Sequence, residues 1–167
     1  MKCAVLCNGP SRILYTPSED YHFVIGCNIP WAKVDATIIL DPEIITYLGN
    51  NPDEIKYNIY FGRKAWMYAD EIKKRPHFSN YFLGIVDPHY PYYSSGHMAI
   101  EVMLKHGYDE IDIYGCDAYY NIDLTSSTHQ YVNTSDTKGI SKCIKEWRKK
   151  WQAFIDNNPK VKFNFIK

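Results

Sequence analysis

No sign of charge dominates this sequence: Lys plus Arg and Asp plus Glu both number 19. Without a net positive field a polyanion has nothing general to be drawn to, so nucleic acid is not the expected partner. Nor does any run approach the roughly 20 consecutive apolar residues of a spanning helix, so no membrane span is expected. The opening stretch, MKCAVLCNGPS, is broken by Asn8-Gly9-Pro10 before it reaches the length of a signal peptide's apolar region. The cysteines Cys3, Cys7, Cys27, Cys116 and Cys143 include no Cys-x-x-Cys pair. That excludes the usual zinc-ligand spacings and fits a reduced, cytoplasmic setting. Repeats, linkers and low-complexity tracts are also missing, which leaves one domain over residues 1–167.

What is present is enough apolar residue, 46%, to build a core without covalent staples at this length. Short β-branched or aromatic runs bounded by turn residues read as strands at residues 2–7, 22–27, 36–40, 58–62, 81–86, 110–114 and 161–166. Helical segments fall between them at 42–48, 64–74, 95–106 and 136–157. Pro42 suits a first helical turn, Ser94 or Ser95 an N-cap, and Gly107 a stop. Ile140, Ile144, Trp147, Trp151 and Phe154 form one apolar stripe on the last helix, which reads as core contact. Strands alternating with helices predict an α/β domain: a mostly parallel twisted sheet with helices on both faces.

In such sheets ligands lie beyond the carboxyl ends of the strands, and the unusual segments collect at that edge. Asn8-Gly9-Pro10-Ser11 follows the first strand, Cys27-Asn28 ends the second, and Asp41 follows the third. Taken singly, each is an ordinary turn or cap; together they point to a site. Ser94-Ser95-Gly96 opens a helix, whose unpaired N–H groups and positive end make a seat for phosphate. Gly115-Cys116-Asp117-Ala118-Tyr119-Tyr120 follows the sixth strand, and Asp117 there can cap, hold ribose or hold a metal. Cys7, Cys27 and Cys116 end on the same edge, where small buried thiols are the plain expectation. His129, in the polar stretch beyond, is the candidate general base, with His89 and His97 as alternatives. The loop 87–93, rich in Tyr and Pro, would wall the mouth. With 15 tyrosines in the chain, such loops are compatible with a homo-oligomer.

Taken in order, CNGPS (7–11), CN (27–28), LDP (40–42), SSGHMAIEVMLKHGYDEIDIYGCDAYY (94–120) and STHQY (127–131) resemble the bacterial sialyltransferases that use CMP-sialic acid. They also resemble related domains that include a pterin diphosphokinase of methanogen type. The unit 94–120 is the most specific part, and NGPS the next.

The resemblance implies a Rossmann-like domain that holds CMP through Asn8, Gly9, Ser11 and Asn28, with phosphate near Ser95 and Gly96. Asp41 stands where the transferases carry an asparagine beside the donor. Tyr119 matches a tyrosine that assists the departing phosphate, and Tyr120 stands in for a second, since Thr125 occupies that register. His129 matches the lid histidine that deprotonates the acceptor hydroxyl. That scheme requires no metal and no cofactor beyond the nucleotide sugar. The chain departs in lacking the arginine before the Ser-Gly turn and in a much shorter stretch between Tyr119 and His129. A short lid excludes water poorly. Alongside transfer, three readings therefore stand: hydrolysis of a nucleotide sugar or conjugate, capture of a nucleotide without turnover, and Mg²⁺-dependent diphosphate transfer through Asp41 and Asp117.

Overall fold

The structure is a computed structural model that describes residues 1–76, 78–87, 93–119 and 137–167, with side chains for all of these except 118 and 137–145. Seven strands form one sheet: β1 (Lys2–Leu6), β2 (Phe23–Cys27), β3 (Ala36–Ile39), β4 (Asn58–Gly62), β5 (Phe82–Val86), β6 (Glu110–Tyr114) and β7 (Lys162–Phe165). Each lies within a residue or so of its sequence prediction. Their order is β5-β4-β3-β2-β1-β6-β7. Every pairing is parallel, beyond the mostly parallel sheet expected. The fold is a Rossmann-like α/β arrangement.

Alternation along the strands sorts the core into layers. Cys3, Val5, Ile25, Ala36, Ile38, Ile111 and Ile113 face one side. There they meet α4 (Ser95–Lys105), through Met98, Ala99, Val102 and Met103, and α5 (Thr137–Asn157), through Trp147, Trp151 and Phe154. The first two positions of the predicted stripe on α5, Ile140 and Ile144, lie outside the described side chains. On the opposite side Ile39, Ile59 and Phe61 pack against α1 (Pro42–Asn50), α2 (Arg63–Met67) and α3 (Asp70–Lys73). Over β1 and β6 that second face is covered by loop aromatics instead: Tyr15, Tyr21 and Trp31 close over Ala4, Leu6 and Tyr114.

One predicted helix, 64–74, is two. The backbone tightens after Met67, where Tyr68 N–H donates to Ala65 O (3.0 Å) and Ala69 N–H to Trp66 O (3.2 Å). The break keeps Ala65, Ala69 and Ile72 all buried and turns Met67 and Tyr68 outward. Ala65, Ala69 and Ile72 keep the i, i+4, i+7 spacing of one helical face across the break, so the periodicity that predicts a single helix carries no mark of it.

The chain order decides which loops meet at the carboxyl edge. From β1 it steps outward to β5, then α4 carries it back over β3, β2 and β1 to start β6 on the other flank of β1. Strand order therefore reverses at β1, and the loops leaving β1 and β6 start side by side there. No helix among the described residues is long and apolar enough to cross a membrane.

Candidate functional site: the carboxyl edge of the sheet

The turn after β1 is tied down from β6. Gly9 N–H donates to Gly115 O (2.7 Å), and Ser11 donates to Asp117 Oδ2 from both its N–H (3.0 Å) and its hydroxyl (2.9 Å). The Ser11 oxygen in turn accepts from Gly115 N–H (3.1 Å). A side chain at position 9 would collide with this arrangement, its Cβ falling 2.3 Å from Asp117 Oδ2 and 2.5 Å from Gly115 O. Gly115 itself has φ +67° and would place a Cβ 2.4 Å from Cys7 O. Glycine at both positions is what lets the two loops touch. Pro10 then starts a short 3-10 turn, Pro10–Leu14, with Gly9 at its N-cap.

A second set of bonds runs toward β3. Asn8 Nδ2 donates to Cys27 O (3.0 Å), joining the β1 turn to β2. Asn28 has a left-handed backbone, φ 58°, a conformation asparagine adopts more readily than most residues. Its turn is held by Asn28 N–H to Ile38 O and by Thr37 Oγ1 to Asn28 O, both 2.8 Å. The buried side chain spans two elements. Its Oδ1 accepts from the Ser95 hydroxyl on α4 (3.2 Å), and its Nδ2 donates to Asp41 Oδ2 after β3 (3.3 Å).

Asp41 occupies the N-cap position of α1 without making a side-chain cap bond. Its carboxylate is turned to Asn28 instead, so the plain capping explanation does not apply. Burial, with Glu43 nearby, holds this carboxyl above its usual range, against the pull of the Asn28 amide and Lys64.

Ser94 is the N-cap of α4, and the box it forms is unusual because its third member is histidine. The Ser94 oxygen accepts from His97 N–H (3.4 Å), while His97 Nδ1 accepts from Ser94 N–H (3.1 Å). Nε2 lies 3.0 Å from Trp147 O, which calls for the Nε2–H tautomer. The ring stacks between Tyr93 and Trp151, with centroids 5.4 and 4.3 Å away. Burial lowers the His97 pKa to about 3. With both nitrogens committed and no exposure, His97 is a structural residue; as an alternative base it is excluded by this environment. The usual S-x-x-E/Q signature does not include histidine, so no local motif marks it.

The remaining residues divide. Gly9, Ser11 and Asp117 lie in one set of bonds along the sheet edge and Asn28, Asp41 and Ser95 in another, with Asn8 tying the β1 turn to Cys27 O and Ser94 and Gly96 in the adjoining helix turn. Tyr119 lies on the β7 flank: its ring stacks on Phe165 (4.6 Å) and its hydroxyl donates to Gln152 Oε1 on α5 (3.4 Å). Tyr120, His129 and His89 fall outside the described residues, as does most of the Tyr-Pro loop. At the start of that loop Asp87 is gripped by Arg63, whose Nε donates at 2.6 Å and which bridges β4 to β5 at this same edge. A cavity of about 270 Å³ lies elsewhere, at the amino ends of β4 and β5, lined by Ile55, Ile59, Arg75, Phe78 and Tyr81. Lined mostly by apolar side chains, it shares none of the edge residues.

Fold and edge together define a Rossmann-like α/β protein whose polar turns gather at the carboxyl edge of its sheet. No family model, curated protein or solved structure matches the chain.

Proposed function

We propose that this protein is a metal-independent glycosyltransferase that uses a nucleotide-activated sugar, with a CMP-linked donor. The observation that carries the reading is the Asp41–Asn28–Ser95 linkage. It draws the ends of β2 and β3 and the first turn of α4 together beside the Asn8-Gly9 turn. A pocket floor of amides and hydroxyls suits ribose and base, and a helix start suits phosphate. In this scheme Ser94, Ser95 and Gly96 face the phosphate, and Asn8, Gly9, Ser11 and Asn28 shape the nucleoside pocket. His129 takes the proton of the acceptor hydroxyl as it attacks the sugar. Tyr119 and Tyr120 donate to the phosphate that leaves as CMP.

Capture without turnover is the second reading, and one observation favours it. The Tyr119 phenol donates to Gln152 on α5, a bond it must give up to serve a leaving group. Hydrolysis of a nucleotide sugar uses the same pocket with water as acceptor, and diphosphate transfer adds Mg²⁺ at Asp41 and Asp117.

The test follows CMP release from CMP-sialic acid, with and without candidate acceptors, alongside nucleotide binding by calorimetry. Transfer predicts acceptor-dependent CMP release that His129→Ala abolishes while binding stays within about twofold, because the base acts on the acceptor and not on the donor. Saturable binding with no product beyond one equivalent supports capture. Acceptor-independent release supports hydrolysis, and activity that chelation removes supports the Mg²⁺ reading. A protein that binds no nucleotide at all refutes the proposal.

A further inference from the structure

Three thiols meet under the edge just described. Cys7 directly follows β1 and Cys27 ends β2; the parallel register pairs Leu6 with Gly26, and one more step sets Cys7 opposite Cys27. The Cys27 thiol donates to Cys7 Sγ across 3.9 Å. Cys116, after β6, is close enough to act on the ionisation of the same sulfur. From above, the first turn of α4 rests on it: a methyl group on Gly96 would come 2.9 Å from Cys7 Sγ. Cys27 and Cys116 are buried, whereas Cys7 is only half-buried. A sulfur that accepts the Cys27 S–H beneath a helix start favours the thiolate, and interaction with Cys116 and Cys27 holds its pKa well below the ordinary thiol value. Its two partners are pushed up, by their bond to Cys7 and by burial. Among the described residues no group of three or more His, Cys, Asp or Glu side chains is arranged to hold a metal ion.

We propose that Cys7 and Cys27 form a reversible disulfide in response to peroxide, with Cys7 the attacking sulfur and Cys27 the resolving one. The Cys7 thiolate attacks one oxygen of the peroxide, forming the S–O bond of a sulfenic acid as the O–O bond breaks and the other oxygen leaves, protonated, as water or alcohol. The Cys27 sulfur then displaces that hydroxyl as water. Two thiols lose two electrons and two protons, and the peroxide O–O bond is reduced. The sulfurs must close from 3.9 Å to about 2.0 Å, which side-chain rotation at two strand ends can supply. Cys7 precedes Asn8-Gly9 and Cys27 precedes Asn28, so the bond staples the bases of two pocket turns. The expected consequence, which rests on the nucleotide reading, is weaker nucleotide binding by the oxidised form.

The protein is treated with one to ten equivalents of hydrogen peroxide, free thiols are alkylated, and peptides are mapped by mass spectrometry. The expected product is a monomer lighter by two hydrogens, with the Cys7 and Cys27 peptides joined and dithiothreitol restoring both thiols. Cys116→Ser is expected to form the same bond. Cys27→Ser is expected to stop at a Cys7 sulfenic acid that dimedone labels. Retention of both thiols in the wild-type protein, or a bond from Cys7 to Cys116 instead, overturns the proposal; the wild-type map decides this even if a variant fails to fold. CMP binding is then compared between the two forms. Equal affinity overturns the coupling, and failure of the reduced form to bind CMP refutes the nucleotide reading while leaving the mapped disulfide in place.

Discussion

Replacing Asp117 by alanine probes the join between the β1 and β6 loops. One carboxylate oxygen accepts two bonds from Ser11, at 3.0 and 2.9 Å. A hydrogen bond to a charged acceptor is worth about 1.5–3 kcal/mol; because Asp117 is only half-buried, the lower end applies to each. Their sum is about 3 kcal/mol, part of it the cost of leaving the Ser11 N–H unmet. In a domain of this size that corresponds to a fall in Tm of about 6–12 °C. Urea unfolding followed by circular dichroism is the assay, and the midpoint is expected to drop at unchanged slope. Asp117→Asn keeps an acceptor oxygen and loses only the charge, so its cost is expected near about 1 kcal/mol. In a double-mutant cycle with Ser11→Ala, the coupling is expected at about 1–2 kcal/mol. Asp117→Ala within about 0.5 kcal/mol of wild type, or additive effects in the cycle, would refute the view that this carboxylate fastens the two loops.

His97 gives a pH signature. Its folded pKa is about 3 against an unfolded value of about 6.5, so between these limits the unfolded chain binds a proton that the folded one does not. Stability is then present above pH about 6.5 and is lost as pH falls, by up to about 1.4 kcal/mol per unit. Unfolding free energies of wild type and His97→Gln, measured from pH 7 to 5, are expected to show a shallower slope in the variant, and parallel slopes would contradict this. Gly115→Ala meets both a left-handed backbone and a 2.4 Å approach to Cys7 O, so a loss of about 2 kcal/mol or more is expected by chemical denaturation. Asn28→Ala removes the link to both Ser95 and Asp41; nucleotide affinity measured by calorimetry is expected to fall about 10-fold or more, and Ser95→Ala less. Unchanged affinity in both would detach this linkage from ligand binding.

Much of the fold was legible because hydrophobic period and turn chemistry are local properties. The runs around Val5, Ile25 and Ile38 read as buried parallel strands, and the pair Ser94 and Gly107 marked the limits of α4. The exception was the break near Tyr68: Ala65, Ala69 and Ile72 stay at helical spacing across it, so the apolar pattern does not reveal it. The edge residues were legible only as candidates. Asn28, Asp41 and Ser95 each looked like an ordinary cap or turn, and Asn28's left-handed backbone has no signature beyond the residue's tolerance for it.

By itself, then, the sequence determined an α/β chain of short buried strands whose polar turns follow the strands' carboxyl ends. Which turns touch was decided only in three dimensions. Ser11 meets Asp117 across 106 residues and Asn28 meets Ser95 across 67, and both depend on the strand order reversing at β1. Periodicity does not encode strand order, which follows from packing α4 back across the sheet. The same packing buried His97 and brought Cys7 within reach of Cys27, giving each a chemistry that residue type and spacing left open.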